Sequence, residues 1–179
     1  MFTSKTKKSK PKIPTKARLR NIALYYLERF ESSKDNLRAV LRRRIDKYAF
    51  FDKEYNPEQA YLWVDEIVLE CANHNFVNDE RFTNLKIGAY LKAGKSKRYI
   101  EQKLKLKGID SKIIDKSFNE IEYSEFDVAS NFARKKKIGK YRENKDLQLE
   151  NRQKDLATLV RAGFDFDIAK DIVYSDNEE

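Results

Sequence analysis

The sequence has little of what interrupts a helix or builds a metal or disulfide site. Its 179 residues include five glycines, three prolines, one cysteine and one histidine. The lone Cys71 excludes an intrachain disulfide, and with one histidine it does not supply the ligands of a zinc site, so we expect no metal. Because helix breakers are scarce while Lys, Glu, Leu and Arg are common, we predict an all-α fold.

Long apolar runs and catalytic motifs are also missing. No segment approaches the roughly 18–20 residues of a membrane span, and the N-terminus lacks the apolar core of a secretory signal. We therefore expect a cytoplasmic protein with no membrane contact. The segment AGKS at 93–96 has Ala89 where a phosphate-binding loop needs its first glycine. His74 has no triad partner at a recognisable spacing, so we predict no enzymatic activity and no cofactor.

Positive charge is concentrated at the N-terminus. Residues 1–20 hold six lysines, two arginines and no acidic residue, which accounts for most of the net charge of +9. Together with Pro11 and Pro14, this composition predicts a disordered basic tail over 1–17. Such a tail adds nonspecific attraction to phosphates, or it is a solubility or expression segment.

Apolar residues recur at helical spacing after this tail. For example, Leu37, Leu41 and Ile45 fall on one face of a helix that Ser32 or Ser33 would cap. Such helices come in three successive sets of three, which predicts three tandem helix-turn-helix-like repeats in an elongated array. The predicted domains are the tail 1–17, repeat 1 at 18–76 with an inserted loop at 49–56, repeat 2 at 77–122 and repeat 3 at 123–179.

The same glycine-apolar-aspartate sequence occurs twice in the chain. Gly108-Ile109-Asp110 follows KLKLK, and Gly163-Phe164-Asp165 follows TLVRA. Glycine suits the left-handed position after a helix, and Asp caps the helix that comes next. We therefore predict that KLKLK is the end of a helix despite its strand-like alternation, with Lys103 and Lys107 on one outer face.

Three basic clusters, each at or near a helix or turn of one repeat, are the main functional signal. Helix C-termini also attract Lys and Arg, but the recurrence favours binding to a phosphate backbone or an acidic protein groove. A base-reading helix-turn-helix is an alternative, although Ser111 and Lys112 at the reading positions suit it poorly. The predicted contact residues are Arg42, Arg43, Arg44, Lys95, Lys97, Arg98, Lys103, Lys107, Arg134, Lys135, Lys136 and Lys137.

The segment VNDERFTNLKIGAYLKAGKSKRYIEQKLKLKGID, residues 77–110, resembles the RecX family of bacterial recombination regulators. ALYYLERFESSKDNLRAVLRRR, residues 23–44, resembles the family's first repeat, although that repeat lacks its usual glycine and carries the insertion at 49–56. With the third repeat, the resemblance covers about residues 18–175. The residues that carry the central motif, mainly core and turn positions, are Asp79, Glu80, Arg81, Phe82, Gly94, Ile100, Leu104, Gly108 and Ile109.

This resemblance implies three tandem three-helix repeats that bind along the groove of the RecA–DNA filament. It implies a regulator of recombination, repair and the SOS response, which inhibits the ATPase, strand-exchange and coprotease activities of RecA. We expect a monomer whose binding to bare single- or double-stranded DNA is weak and salt-dependent. The alternatives are a general nucleic-acid-binding regulator of helix-turn-helix type that acts without RecA, and a structural adaptor whose lysines matter little.

Overall fold

The computed structural model describes residues 10–174, so predictions for residues 1–9 and 175–179 lie outside the described part. The described residues form nine α-helices and one short 3₁₀ helix and contain no strand, which confirms the all-α prediction. In chain order the elements are α1 (Lys16–Leu27), α2 (Lys34–Phe51), α3 (Glu58–Asn73), α4 (Asp79–Lys92), α5 (Lys97–Lys105), α6 (Ser111–Glu120), α7 (Glu125–Lys136), the 3₁₀ helix (Gly139–Tyr141), α8 (Lys145–Arg161) and α9 (Phe166–Tyr174).

The chain divides into two compact units between Asp79 and Glu80. The first unit contains α1, α2 and α3, and the second contains α5 to α9 together with α4 from Glu80 onward. Predicted repeat 1 falls within the first unit, whereas predicted repeats 2 and 3 fall almost wholly within the second. The limits of the repeats at 77 and 123 stay predictions.

One buried core holds the first unit together, and α2 enters it as the sequence predicts. The side chains of Leu37, Leu41 and Ile45 are fully buried. At the start of this helix the Ser33 hydroxyl accepts a hydrogen bond from the amide of Asn36 at 3.1 Å. Ser33 is therefore the N-cap, because its side chain satisfies an amide that has no partner within the helix.

The third helix closes this core. Val64, Ile67 and Cys71 are buried, and Trp63, the only tryptophan of the sequence, packs against them while half-buried. Burial raises the pKa of the Cys71 thiol, and the neighbouring Glu70 carboxylate raises it further.

The boundary of the predicted tail differs from the structure. α1 begins at Lys16, inside the predicted tail 1–17, because the Thr15 hydroxyl accepts from the amide of Arg18 and starts the helix. Pro14 is buried immediately before this cap. Ordered structure therefore begins earlier than the composition alone suggests.

The predicted loop at 49–56 is also shorter than expected. α2 continues through Phe51, and the amide of Asp52 still donates to the Tyr48 carbonyl at 2.8 Å. No glycine or proline interrupts the chain between α2 and Pro57, so no helix-breaking residue ends the helix at the predicted position. At the far side of the loop, the Asn56 side chain accepts from the amide of Glu58 at 2.9 Å and caps α3.

The second unit contains two buried cores. Leu104 belongs to the core formed by α4, α5 and α6, and Leu159 to the core formed by α7, α8 and α9. Leu91 and Tyr123 pack against both cores. These shared side chains explain why the two helical sets form one compact unit.

The two predicted glycine turns are confirmed. Gly108 has φ +72° and Gly163 has φ +92°, so both adopt the left-handed conformation that disfavours a Cβ. In each turn the amide after the glycine, of Ile109 or Phe164, donates at 3.2 Å to the carbonyl of the buried leucine in the preceding helix. Both apolar residues are buried, so each helix end is closed by its own turn.

A buried ion pair fixes the segment between α7 and α8. The Asp155 carboxylate accepts from Arg142 Nε at 2.7 Å, from Arg142 Nη2 at 2.8 Å and from the Gly139 amide at 2.9 Å. Burial by itself raises the pKa of the Asp155 carboxyl, but the hydrogen bonds from Arg142 and Gly139 outweigh it and lower that pKa below its usual value.

Candidate functional site

The predicted cluster Arg42-Arg43-Arg44 separates on the surface of α2. The Arg42 guanidinium lies 3.7 Å from the Asp65 carboxylate and 5.5 Å from the Tyr61 ring centroid. Arg43 donates to a backbone carbonyl of its own helix at 3.2 Å. Arg44 lines a cavity beside α1. Successive helical residues lie roughly 100° apart, so these three arginines face different surroundings.

In the second unit, positive charge surrounds one aromatic ring. The Tyr99 ring centroid lies 5.1 Å from Lys95 Nζ and 5.3 Å from Lys103 Nζ. An ammonium group near a ring is attracted by the ring's quadrupole. Lys103 lies one turn after Tyr99 on α5, and Lys95 lies in the turn just before that helix, so this surface presents an aromatic ring between two cations.

Lys97 belongs to a different environment on the same helix. Its Nζ lies 3.9 Å from Glu101 Oε1 and 5.2 Å from the Phe118 ring centroid. Burial raises the pKa of the Glu125 carboxyl, while the charge and backbone amide of Lys97 lower it. Lys97 thus interacts with carboxylates of its own unit, and its charge is partly neutralised there.

A cavity of about 270 Å³ lies beside Tyr99. Arg98, Tyr99 and Gln102 of α5 line it on one side, and Arg161 lines it at the end of α8. Arg98 is exposed and forms no ion pair within residues 10–174. Arg161 Nε donates to the Ala157 carbonyl at 3.1 Å, which uses one of the five donors of its guanidinium. Two guanidinium groups and a carboxamide around one opening suit an oxyanion.

The turn at Gly163 brings Arg161 to this place. The Ser96 hydroxyl donates to the Ala162 carbonyl at 2.7 Å and also caps α5 by accepting from the Tyr99 amide. A Cβ on Gly163 would lie 2.6 Å from Ser96 Oγ. The repeated glycine turn therefore has a second role, because it lets the end of α8 contact the start of α5.

The predicted cluster of repeat 3 follows the end of α7. The Arg134 guanidinium lies 5.0 Å from the Tyr141 ring centroid, and Lys137 Nζ forms an ion pair with Glu143 at 2.7 Å. Lys137 itself has φ +52° and ends the helix in a left-handed turn without glycine. Lys135 and Lys136 are exposed and form no ion pair within the described part of the chain.

The residues of the sequence motif lie in the core, in turns and at the surface. Gly94 has φ +75°, and Gly108 begins the turn described above. Arg81 is half-buried and Lys107 is exposed beyond the end of α5. The buried apolar residues of the motif are Phe82, Ile100, Leu104 and Ile109.

The acidic residues of the motif hold helices in place. Asp79 Oδ1 accepts from the backbone amide of Lys34 at 2.9 Å, and Asp79 Oδ2 lies 3.5 Å from Lys34 Nζ. Asp79 thus satisfies a second amide at the N-terminus of α2, beside the one satisfied by Ser33, through a distant contact that sequence reasoning missed. Glu80 pairs with Lys116 Nζ at 3.2 Å.

Sequence reasoning also missed Gln102 and Arg161. Gln102 lies one turn after Arg98 on α5, so helical spacing from Arg98 could have found it. Arg161 joins the surface only through the contact between Ser96 and Ala162, and no local pattern signals that contact. We call Lys95, Arg98, Tyr99, Gln102, Lys103 and Arg161 the α5 basic face.

Within residues 10–174, no group of His, Cys, Asp and Glu side chains is arranged to hold a metal ion. None of the helices in this stretch is long and apolar enough to cross a membrane. The α5 basic face places cations around an aromatic ring and a cavity.

Comparison with known proteins places this chain in a family. Residues 78–117 match the family model described as RecX, second three-helix domain. The chain is 39% identical over 176 residues to a regulatory protein RecX of Myxococcus xanthus, covering 96% of this chain and 94% of that protein. It is 26% identical over 161 residues to a regulatory protein RecX of Agrobacterium fabrum, covering 89% and 84%.

The fold has a solved counterpart. A crystal structure of RecX from Lactobacillus salivarius superposes with a TM-score of 0.64 at 19% identity, covering 88% of this chain and 94% of that one. The structural match covers 88% of the chain, and the sequence match to the Myxococcus xanthus protein covers 96% of it. The chain belongs to the RecX family of regulatory proteins.

Proposed function

We propose that the protein binds in the groove of the RecA–DNA filament and inhibits the ATPase, strand-exchange and coprotease activities of RecA. The observation that carries this proposal is the α5 basic face. Lys95, Arg98, Lys103 and Arg161 surround Tyr99 and its cavity, and none of the four forms an ion pair within residues 10–174. A surface of this kind binds most favourably to a partner that supplies negative charge.

A filament groove matches this surface because it presents DNA phosphates and protein carboxylates together. Arginine binds both groups through paired hydrogen bonds, and lysine adds charge without a fixed geometry. Lys135 and Lys136 extend the proposed contact into the cluster at the end of α7. Arg42, Lys97 and Lys137 contribute less, because carboxylates of the same unit already pair with them.

On this proposal the protein inhibits RecA by occupying the filament groove, and no covalent chemistry is needed. A protein lying in the groove as a monomer hinders the changes between RecA protomers that accompany ATP hydrolysis and strand exchange. It acts in the cytoplasm, where RecA filaments form. Binding to the filament exceeds binding to bare DNA, because only the filament supplies both kinds of acidic group.

The test is a titration of the cognate RecA ATPase on single-stranded DNA, beside binding to the same DNA without RecA. We expect inhibition at substoichiometric protein and weak affinity for bare DNA. Lys103→Glu should reduce inhibition severalfold. Lys105→Glu is the matched control, because Lys105 is exposed on the same helix but lies roughly 200° around the axis from Lys103.

Two results would contradict the proposal. Equal effects of Lys103→Glu and Lys105→Glu would mean that net charge, and not the α5 basic face, governs inhibition. No effect of the unmodified protein on the ATPase, together with tight binding to bare DNA, would identify a general nucleic-acid-binding regulator that acts without RecA.

A further inference from the structure

Acidic side chains of α3 neutralise one side of α1. Lys16 Nζ lies 2.5 Å from a Glu66 carboxylate oxygen, and Arg20 forms an ion pair with Glu70. These four residues recur at one-turn spacing along the two helices, so they form a ladder of opposite charges. The cations of α1 that face α3 therefore have intramolecular partners.

α2 shows the same pattern on its own α3-facing side. The Asp65 carboxylate of α3 lies 2.7 Å from Arg38 Nε and 3.7 Å from Arg42 Nη2. The carboxylates of these pairs belong to α3, and Asp35 of α2 itself also pairs with Arg38. The side of α2 that faces α1, in contrast, lies away from these carboxylates.

Where α1 and α2 face each other, cations gather without carboxylates. A cavity of about 280 Å³ is lined by Lys12, Arg18, Arg44 and Lys47, and no acidic residue lines it. None of these four side chains forms an ion pair with another residue of the described chain. Lys12 precedes α1, Arg18 lies on α1, and the other two lie one turn apart on α2.

The rest of the cavity wall is apolar. Leu19 and Ile22 of α1 line it together with Pro11 and Pro14. Leu19 and Pro14 are buried, while Ile22 and Pro11 are half-buried. The two prolines restrict the backbone of this short segment, so the wall is formed by residues with few conformational choices.

Four like charges around one concavity repel one another, and a low-dielectric apolar wall strengthens their common field. A bound anion relieves this repulsion. Arginine forms paired hydrogen bonds with phosphate oxygens, which makes two arginines and two lysines a suitable set for a phosphate group. The apolar wall suits the sugar or base attached to it.

We propose that this cavity of the first unit is a nucleotide phosphate site. Its ligand is a phosphate group that carries a nucleoside, either in a free nucleoside triphosphate or in a strand of DNA. Arg44 and Lys47 bind the phosphate from α2, Arg18 binds it from α1, and the half-buried Ile22 contacts the attached nucleoside.

The experiment measures equilibrium binding by fluorescence anisotropy with the full chain and without RecA. One arm uses a dye-labelled 15-nucleotide oligothymidylate, and the other uses a fluorescent nucleoside triphosphate. We expect Arg44→Ala and Lys47→Ala each to weaken binding about tenfold in at least one arm, as loss of a charged hydrogen bond does. An effect confined to the triphosphate arm identifies a free nucleotide as the ligand, and an effect in the oligonucleotide arm identifies a strand.

Arg43→Ala is the matched control. It removes the same charge from the neighbouring position, but Arg43 does not line the cavity. We expect this variant to bind both probes as the unmodified protein does, with unchanged far-ultraviolet circular dichroism for all three variants. The proposal is overturned if Arg43→Ala weakens binding as much as Arg44→Ala, or if the double variant of Arg44 and Lys47 binds both probes normally.

This site is independent of the proposed inhibition of RecA. Both arms are free of RecA, so a protein that leaves the RecA ATPase unaffected still gives a clear result here. Conversely, normal inhibition by the Arg44→Ala variant, together with lost phosphate binding, would show two separable surfaces.

Discussion

At the scale of single residues, Asp155 is the one charged residue that is buried within residues 10–174. Its side chain is 2% exposed and accepts three hydrogen bonds, two of them from one guanidinium. Such an arrangement holds the Gly139–Tyr141 turn against α8. Loss of the carboxylate leaves Arg142 and the Gly139 amide without their acceptor, which costs more than the pair itself contributes.

We expect Asp155→Asn to lower the free energy of unfolding by about 3 kcal/mol, at the lower end for broken buried pairs because Arg142 is partly exposed. Urea denaturation followed by circular dichroism measures this change. Asp146→Asn, at the exposed first turn of the same helix, should cost at most about 1 kcal/mol through the helix dipole. Equal losses for the two variants would contradict a special role for Asp155.

The same residue makes stability depend on pH. Since the pKa of Asp155 is lower in the folded state than in the unfolded state, its ionised form stabilises the fold above the unfolded pKa of about 3.9. This contribution is lost as the pH falls through the folded pKa. We therefore expect the stability difference between the unmodified protein and Asp155→Asn to be constant from pH 6 to 7 and to shrink below about pH 4. A difference that grows on acidification would reverse this assignment.

At the scale of elements, the contact between the α8–α9 turn and α5 depends on two small residues, Gly163 and Ser96. Gly163→Ala places a methyl group in a left-handed residue, which costs roughly 1–3 kcal/mol, and against Ser96 Oγ at 2.6 Å, which adds about 1–3 kcal/mol. Ser96→Ala removes the hydroxyl and its hydrogen bond to Ala162. We expect the cost of Gly163→Ala to be smaller in the Ser96→Ala background, as measured by thermal denaturation of the four proteins in the cycle. Additive costs would show that the close approach is not the source of strain.

Local signals account for much of this element structure. The stripe Leu37-Leu41-Ile45 and the turns at Gly108 and Gly163 were predictable because each depends only on helical spacing and on backbone conformation. Lys137 adopts the left-handed conformation although it is not a glycine, so the end of α7 at this residue could not be predicted from the residue type. At such positions tertiary packing decides what local preference does not.

The candidate site was predictable only in part, for a related reason. Lys95, Arg98 and Lys103 could be found because they lie close together in sequence. Which cations are neutralised depends on distant acids, as when Asp65 of α3 pairs with Arg42. In the sequence Arg42 and Arg44 are indistinguishable, and only the fold shows that Arg42 lies beside Asp65 while Arg44 lines the cavity beside α1.

At the scale of the whole molecule, each unit has its own buried cores, and the single tryptophan reports on the first unit. Trp63 packs in the first unit, and the sequence contains no other tryptophan. Leu41→Ala should therefore destabilise the first unit by about 2–5 kcal/mol and shift the Trp63 fluorescence transition. Leu159→Ala should destabilise the second unit similarly and shift only the circular dichroism transition. A shift of the Trp63 transition by Leu159→Ala would show that the two units unfold together.

The burial of Cys71 has a practical consequence for the experiments above. This thiol is 3% exposed and its pKa is raised, so little thiolate is available to a maleimide at neutral pH while the first unit is folded. A cysteine introduced at an exposed position outside the α5 basic face, such as Lys105, should then accept a dye alone, because the native thiol stays protected. The unmodified sequence is therefore a suitable background for site-specific labelling, and a dye on α5 would report a partner that covers the neighbouring α5 basic face.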